Sequence, residues 1–276
     1  MKYIDLHVHS NYSDGTYSVE KLLKHARKIG LSAISITDHD TIEGSLKALR
    51  IADAYDDIEV IPGVEFSSYK NRKSVHILGY FIDLHSPKLQ SFIHHMKVSR
   101  YERALKILDK LKQYNIEVPI EIVQQFTTSG LIGRPHIAQA VKFMGYVATE
   151  REAFEKYIGN EAPCYVPQEA IPPEKVIHII REIQGIPVLA HPGKLRYDEL
   201  IPELRKYGLL GLEVYYPTHT SEDIARYKRI AKELDLIATG GSDSHGDREG
   251  YPQLGECRLP YTILEGLRNL WVKLYC

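Results

Sequence analysis

The sequence predicts an α/β barrel interrupted by a helical insertion, and three observations predict it. Strand-like apolar runs alternate with amphipathic helical stretches towards both ends of the 276-residue chain. The stretch from 87 to 164 has helical periodicity alone, with no good strand. Most strand-like runs end in, or carry, a His, Asp or Glu. Strands that alternate with helices imply parallel strands joined by crossover helices. Barrels of that kind carry their chemistry at the C-terminal ends of the strands.

The first strand is Tyr3-Ile4-Asp5-Leu6, leading into His7-Val8-His9. A helix follows over Ser18 to Ile29, where Val19, Leu22, Leu23 and Ala26 recur at helical spacing, and Gly30 stops it. A strand over Ala33 to Thr37 leads to a helix from about Ile42 to Tyr55. The third and fourth strands are about Glu59 to Val64 and Ser74 to Phe81. The insertion then brings a helix marked by Ala104, Leu105, Leu108 and Leu111, one around Pro135 to Phe143 and one over Thr149 to Ile158. Alternation resumes with helix Pro173 to Ile183, strand Pro187 to Ala190, helix Leu195 to Tyr207, strand Gly211 to Tyr215, helix Ser221 to Leu234 and strand Leu236 to Gly240. The expected organisation is a barrel from 1–86 and 165–276, with 87–164 inserted so as to cover the active site.

Composition narrows the function class. Hydrophobic residues make up 43% and charged residues 26%, ordinary for a globular protein. A formal net charge of -1 gives no overall pull towards nucleic acid or an anionic membrane. Cys164, Cys257 and Cys276 have no CxxC spacing, so free thiols are expected rather than a thiolate zinc site or a disulfide framework. No signal-peptide pattern and no run of about 18 apolar residues is present, so a cytoplasmic protein without membrane contact is expected, with no obligate protein partner.

Strand alternation sends His7 and His9 to one side, where one metal ion could take both. Alone the pair is weak evidence. It is followed, however, by Ser13-Asp14-Gly15, Thr37-Asp38-His39-Asp40, Gly63-Val64-Glu65, His76, Ala190-His191-Pro192 and Asp243-Ser244-His245. This ordered set resembles the PHP family, named for polymerase and histidinol phosphatase domains, over almost the whole chain. The resemblance implies a distorted (β/α)₇ TIM-like barrel; periodicity alone does not separate seven strands from eight. It also implies nine ligands for two to three divalent ions. His7, His9, Glu65 and Asp243 would hold one, Glu65 with His76 and His191 a second, and Asp14, His39 and His245 a third. Six imidazoles and three carboxylates without thiolate suit Mn, Fe or Zn. Asp38 and Asp40 either orient His39 or are plain loop residues.

At 276 residues a polymerase is not expected. Gly133-Arg134-Pro135-His136, Tyr215-Tyr216-Pro217-Thr218-His219-Thr220 and His191-Pro192-Gly193 followed by Lys194 resemble the stand-alone PHP phosphoesterases that act on nucleotides. The substrate implied is a small phosphorylated nucleotide. The expected reaction is release of the 3′-phosphate from nucleoside 3′,5′-bisphosphates by a metal-activated hydroxide, with short 5′-phosphorylated RNA as a further substrate. Glu65, Arg134 and His219 are the expected catalytic residues. Arg134 would grip phosphate oxygens, His136 and His219 would donate hydrogen bonds or a proton, and Lys194 would add charge. The alternatives are a histidinol-phosphate phosphatase and, more remotely, a non-catalytic module binding metal or nucleotide.

Overall fold

The first strand, β1 (Tyr3–Val8), is buried from Ile4 onwards and so needs neighbours on both edges. The computed structural model describes residues 2–55, 57–71 and 73–276. After β1, Ser18 caps α1 (Val19–Lys28) by accepting from the Lys21 N–H. The apolar stripe expected for that helix, Val19, Leu22, Leu23 and Ala26, is its buried face. β2 (Leu31–Ile36), α2 (Glu43–Ile51) and the two-residue β3 (Glu59–Val60) follow. β2 lies parallel to both β1 and β3.

The next two strands depart from the expected all-parallel order. β4 (Gly63–Lys70) and β5 (Lys73–Tyr80) pair antiparallel, with Lys70 opposite Lys73. Only two residues lie between them, too few for a crossover helix. The single strand expected over 59–64 is thus two, separated at Ile61-Pro62, because Pro62 has no N–H to give to a ladder.

The 26-residue helix α3 (Pro87–Lys112) spans two cores. Its first half sends Leu89, Phe92 and Met96 into the apolar cluster under the second sheet, with Phe66 and Ile77. Its second half sends Ala104, Ile107, Leu108 and Leu111 into a separate cluster with Val123, Ile137 and Val141. α4 (Ile120–Gln124), α5 (Arg134–Phe143) and the short α6 (Glu150–Ala153), extended by a wider turn over Phe154–Ile158, complete that helical part. Cys164 lies buried in the same cluster, and all three cysteines are free.

α7 (Pro173–Glu182) leads to β6 (Ile186–Leu189), which pairs antiparallel with β5. Then come α8 (Pro192–Leu195), α9 (Leu200–Lys206), β7 (Gly211–Tyr215), α10 (Ser221–Glu233) and β8 (Ile237–Gly240). β6, β7 and β8 are parallel. Besides the short α4 and α8, the sequence did not anticipate β9 (Leu259–Pro260), antiparallel to β1, or the C-terminal helix α11 (Thr262–Tyr275). The fold is therefore mixed α/β. Its ladders form two sheets, β3-β2-β1-β9 and β4-β5-β6-β7-β8, rather than one continuous barrel ladder among the described residues. Single bridges, Val8 with Ser244 and His39 with Glu65, connect the two. No helix of the described residues is long and apolar enough to cross a membrane.

Candidate metal centre

The ends of β1, β2, β6 and β8 and the body of the β4–β5 hairpin meet around one carboxylate, Glu65, which is fully buried. Its Oε1 lies 3.1 Å from His76 Nδ1 and 3.1 Å from His191 Nε2. Its Oε2 lies 3.4 Å from His7 Nε2, 3.3 Å from His9 Nε2 and 3.0 Å from His39 Nδ1. Asp243 approaches from the loop after β8, with Oδ1 3.5 Å from His7 Nε2 and 3.1 Å from His9 Nε2. On the other side of His9, Asp14 Oδ1 lies 3.9 Å from His9 Nδ1 and 3.3 Å from His245 Nε2.

All nine residues expected as ligands thus meet, and three groups have ligand atoms within 4.8 Å of one another. His7, His9, Glu65 and Asp243 group as expected. His9 joins Asp14, His39 and His245, and His39 stands with Glu65 and His76 in the third group where His191 was expected. The His191 ring remains close, 5.1 Å from that of His76. Glu65 and His76 are exceptions to the expected strand-end placement, since Glu65 is the third residue of β4 and His76 lies inside β5.

The donor set fits a metal. His7 Nε2 and His9 Nε2 stand 3.1 Å apart, both turned to the same two carboxylates. His9 Nδ1 is buried without a hydrogen-bond partner, and Glu65 Oε2 and His39 Nδ1, though 3.0 Å apart, are not aligned for a hydrogen bond. Donor atoms held by metal bonds of about 2.1 Å lie about 3.0–3.4 Å apart, and those of His7, His9, Glu65 and Asp243 are spaced within a tenth or two of an ångström of that. Burial opposes ionisation of the carboxylates, but the imidazoles outweigh it. His39, His7 and His76 hold Glu65 well below its usual range, and His7 with His9 does the same for Asp243. In return, and against burial, Glu213, Glu65 and Asp243 lift His7 well above its usual value, and Asp243 and Glu65 push His9 up to about 10. Burial lowers His76 and His245.

Sequence reasoning missed the residue that braces two of these histidines. Glu213, fully buried in β7, accepts from His7 Nδ1 at 2.9 Å and from the His191 N–H at 2.6 Å. His191 has φ 27°, a strained conformation for a non-glycine residue, as are those of Asp40 (52°) and Asp243 (55°). The signal available was a lone charge inside the apolar strand run Leu212-Glu213-Val214. Neither Asp38 nor Asp40 hydrogen-bonds His39. Asp38 accepts from the Ser10 N–H, Ser10 Oγ and Ser13 Oγ, so it shapes the turn that presents Asp14. Asp40 pairs with Arg100 and accepts from the Ser67 N–H.

The four residues expected to meet substrate divide between two cavities. Arg134 and His136 line one of about 330 Å³, whose other wall holds Asp14, His39 and His76. Lys194 and His219 line a second, more open one. Lys194 Nζ lies 2.9 Å from Asp243 Oδ2, which also accepts from Tyr216 OH at 2.9 Å. His219 corrects the expectation of a proton donor. Its Nδ1 faces the Val214 carbonyl at 2.9 Å and its Nε2 accepts from the Gly193 N–H at 3.2 Å, so the ring has no proton to spare, and burial lowers its pKa further. His136 likewise accepts from the Gly133 N–H through Nδ1, bracing the turn that carries Arg134.

The PHP domain family matches residues 5–160. A phosphoribosyl 1,2-cyclic phosphate 1,2-diphosphodiesterase of Eggerthella lenta is 31% identical, over 91% of this chain and 97% of its own. A 5′-3′ exoribonuclease of Haemophilus influenzae is 33% identical, over 88% and 90%. A 3′,5′-nucleoside bisphosphate phosphatase of Chromobacterium violaceum is 31% identical, over 92% and 91%. A solved structure from Bifidobacterium adolescentis, described as a metal-dependent phosphoesterase, superposes with a TM-score of 0.87 at 29% identity, covering 96% of this chain and 94% of that one. With a family match over more than half of its length and full-length relatives of this kind, the chain belongs to the PHP family of phosphoesterases.

Proposed function

We propose that this protein is a metal-dependent phosphoesterase that releases the 3′-phosphate of nucleoside 3′,5′-bisphosphates, with short 5′-phosphorylated oligoribonucleotides as further substrates. The observation that carries the reading is the metal-like spacing of donor atoms around buried Glu65, in a cluster whose Asp14, His39 and His76 line a cavity that also holds arginine. The relatives' names supply the substrate class, and a cavity of this size suits a mononucleotide.

In this reading β1, β2 and β4 to β8 form the distorted (β/α)₇ barrel, closed by the bridges at Val8 and His39. Residues 87–164 are the insertion over the site. His7, His9, Asp14, His39, Glu65, His76, His191, Asp243 and His245 hold two to three ions of Mn, Fe or Zn. When bound, such ions activate water and neutralise charge on the phosphoryl oxygens. The chain's own residues do the rest. Glu65 ties the ligand groups together, Glu213 takes the Nδ1 proton of His7 and so leaves Nε2 as the ring's ligand atom, and Tyr216 and Lys194 fix Asp243. Arg134, aimed by the Gly133–His136 turn, draws the anionic substrate into the cavity. His219 holds the 191–193 turn rather than moving a proton.

The test is phosphate release by the Mn-loaded protein from adenosine 3′,5′-bisphosphate, run beside histidinol phosphate, a 5′-phosphorylated RNA tetramer and phosphoribosyl 1,2-cyclic phosphate. Preference for the bisphosphate, giving 5′-AMP, is the expected result. Preference for histidinol phosphate or the cyclic phosphate, with the bisphosphate inert, would overturn the substrate reading.

A further inference from the structure

The turn that presents Asp14 is held from two sides. On the barrel side, the Ser13 and Gly15 N–H groups donate to the Ser10 carbonyl at 3.2 and 3.0 Å, and Asp38 accepts from Ser13 Oγ at 2.6 Å. Three consecutive carbonyls, those of Tyr12, Ser13 and Asp14, must then find donors elsewhere. All three find them in the helical part or in a side chain tied to it. Ser129 Oγ, between α4 and α5, donates to the Tyr12 carbonyl at 2.6 Å. The His136 ring, on α5, reaches the Ser13 main chain. Arg248 Nη1 donates to the Asp14 carbonyl at 2.7 Å. Arg248 lies in the loop after β8, but its Nη2 donates to Glu150 Oε2 at 2.9 Å, and Glu150 opens α6. The Arg248 side chain is only 12% exposed, so this pair is less screened than a surface one.

The loop that carries Arg248 also carries His245, which groups with Asp14. The Thr16 N–H donates to the His245 carbonyl at 3.0 Å, the Asp247 N–H donates to Thr16 Oγ1 at 3.0 Å, and the Tyr251 ring lies 4.0 Å from the His245 ring. Asp14 and His245 thus sit on two loops fastened to each other, and both loops are held to the helical part through Arg248 and Glu150. The group formed by His7, His9, Glu65 and Asp243 differs. Its hydrogen bonds among the described residues come from one another and from Glu213, Lys194 and Tyr216, none of which belongs to the helical part. Moving the helical part away would free three carbonyls beside Asp14 and leave that second group untouched.

We propose that Ser129, Glu150 and Arg248 are positioning residues for one ion, the one held at His9, Asp14, His39 and His245, and that docking of the helical part and loading of that ion are coupled. This rests on the reading of those four residues as metal ligands. Residues that hold a ligand in place tune metal affinity without touching the ion. Coupling of this kind is reciprocal: whatever docking adds to the ion's affinity, the ion adds to docking. The ligand set is therefore completed only when the helical part is in place and the cavity lined by Arg134 and His136 has formed.

The experiment titrates Mn into the metal-free full-length protein against a competing chelator, with native mass spectrometry to count bound ions. Asp14→Asn removes a ligand and should bind one ion fewer than the wild type. Arg248→Gln should weaken that same ion about 10–100-fold and leave the others within about twofold. Arg248→Lys, which keeps one hydrogen bond, should recover part of the loss. Ser129→Ala and Glu150→Gln should each weaken the ion about 10-fold, and these two decide should Arg248→Gln fail to fold. The reverse direction is read by amide hydrogen exchange over 127–160. Mn should slow it about 10-fold in the wild type and leave it unchanged in Asp14→Asn. An Mn affinity unchanged in the Arg248, Glu150 and Ser129 variants, while Asp14→Asn loses its ion, would overturn the coupling alone. So would exchange over 127–160 that ignores Mn in the wild type. If Asp14→Asn binds as many ions as the wild type, the ligand reading fails and the coupling falls with it.

Discussion

Replacing Glu213 by Gln tests whether one buried carboxylate sets the protonation of a histidine turned to the ligand groups. Glu213 accepts two hydrogen bonds, from His7 Nδ1 and from the His191 backbone N–H. A glutamine has one acceptor oxygen and one donor nitrogen. The His191 N–H can only donate, so the amide oxygen must turn to it, and the amide NH₂ then faces His7 Nδ1. His7 must accept there, which moves its proton to Nε2, the atom 3.4 Å from Glu65 and 3.5 Å from Asp243. A protonated nitrogen cannot ligate. Both hydrogen bonds survive in altered sense, so the fold should hold, while metal affinity should fall about 10–100-fold, or about 1.4–2.8 kcal/mol. Metal titration against a competing chelator measures this, with thermal unfolding of the metal-free variant as the fold control. An affinity within about twofold of wild type would refute the reasoning.

Other perturbations reach the same centre by different routes. Glu65→Gln should lower phosphate release on the order of a thousandfold, equivalent to several kcal/mol of transition-state stabilisation, and circular dichroism should show the secondary structure retained. Gly241→Ala puts a Cβ 2.4 Å from the His7 backbone nitrogen and from His7 Cβ, where only a main-chain shift gives relief. Overpacking of this kind costs about 1–3 kcal/mol, so the melting temperature should fall by several degrees and metal affinity with it. In metal-free protein His9 has a folded pKa of about 10, above the value near 6.5 of the unfolded chain. The proton it retains stabilises the fold fully below about 6.5, and that contribution is lost as pH rises through about 10. Metal displaces the proton, so the melting temperature should decline between pH 7 and 10 without metal and hold level with it. Parallel curves would contradict the assignment.

The candidate centre was legible because most of its residues follow apolar runs, where a His or Asp at a strand end stands out against the hydrophobic pattern. Glu213 was not, since it sits between Leu212 and Val214 in a strand whose Glu could equally face solvent. Arg100 and Arg103 left a trace that went unread. They continue the buried stripe from Met96 to Ile107 at spacings of four, three and four, so both arginines point inwards where apolar residues belong. The motif Gly133-Arg134-Pro135-His136 was visible, but its meeting with Arg100 and Arg103 at one cavity depends on α3 crossing from one core to the other, which periodicity does not reveal. The role expected of His219 failed for a related reason. A histidine looks the same in sequence whether its nitrogens face solvent or, as here, two main-chain groups.

The β4–β5 hairpin explains why Glu65 lies at the beginning of a strand rather than its end. The bridge between His39 and Glu65 sets Glu65 level with the end of β2. β4 then continues for five residues past that level before β5 returns antiparallel to it. An all-parallel barrel has no such overhang, because each strand stops at the rim and passes into a loop. Here the overhanging ribbon brings His76 back opposite Ser67, diagonal to Glu65 and within reach of it. Its remaining residues Ser67, Tyr69 and Ser74 become a wall of the cavity. Arg100 donates to Ser67 Oγ on that wall and pairs with Asp40 beside it, so the helical part is fastened to the same ribbon that carries Glu65. The reversal of strand direction that sequence periodicity did not anticipate is thus what raises a wall of the cavity beside the candidate ligand groups.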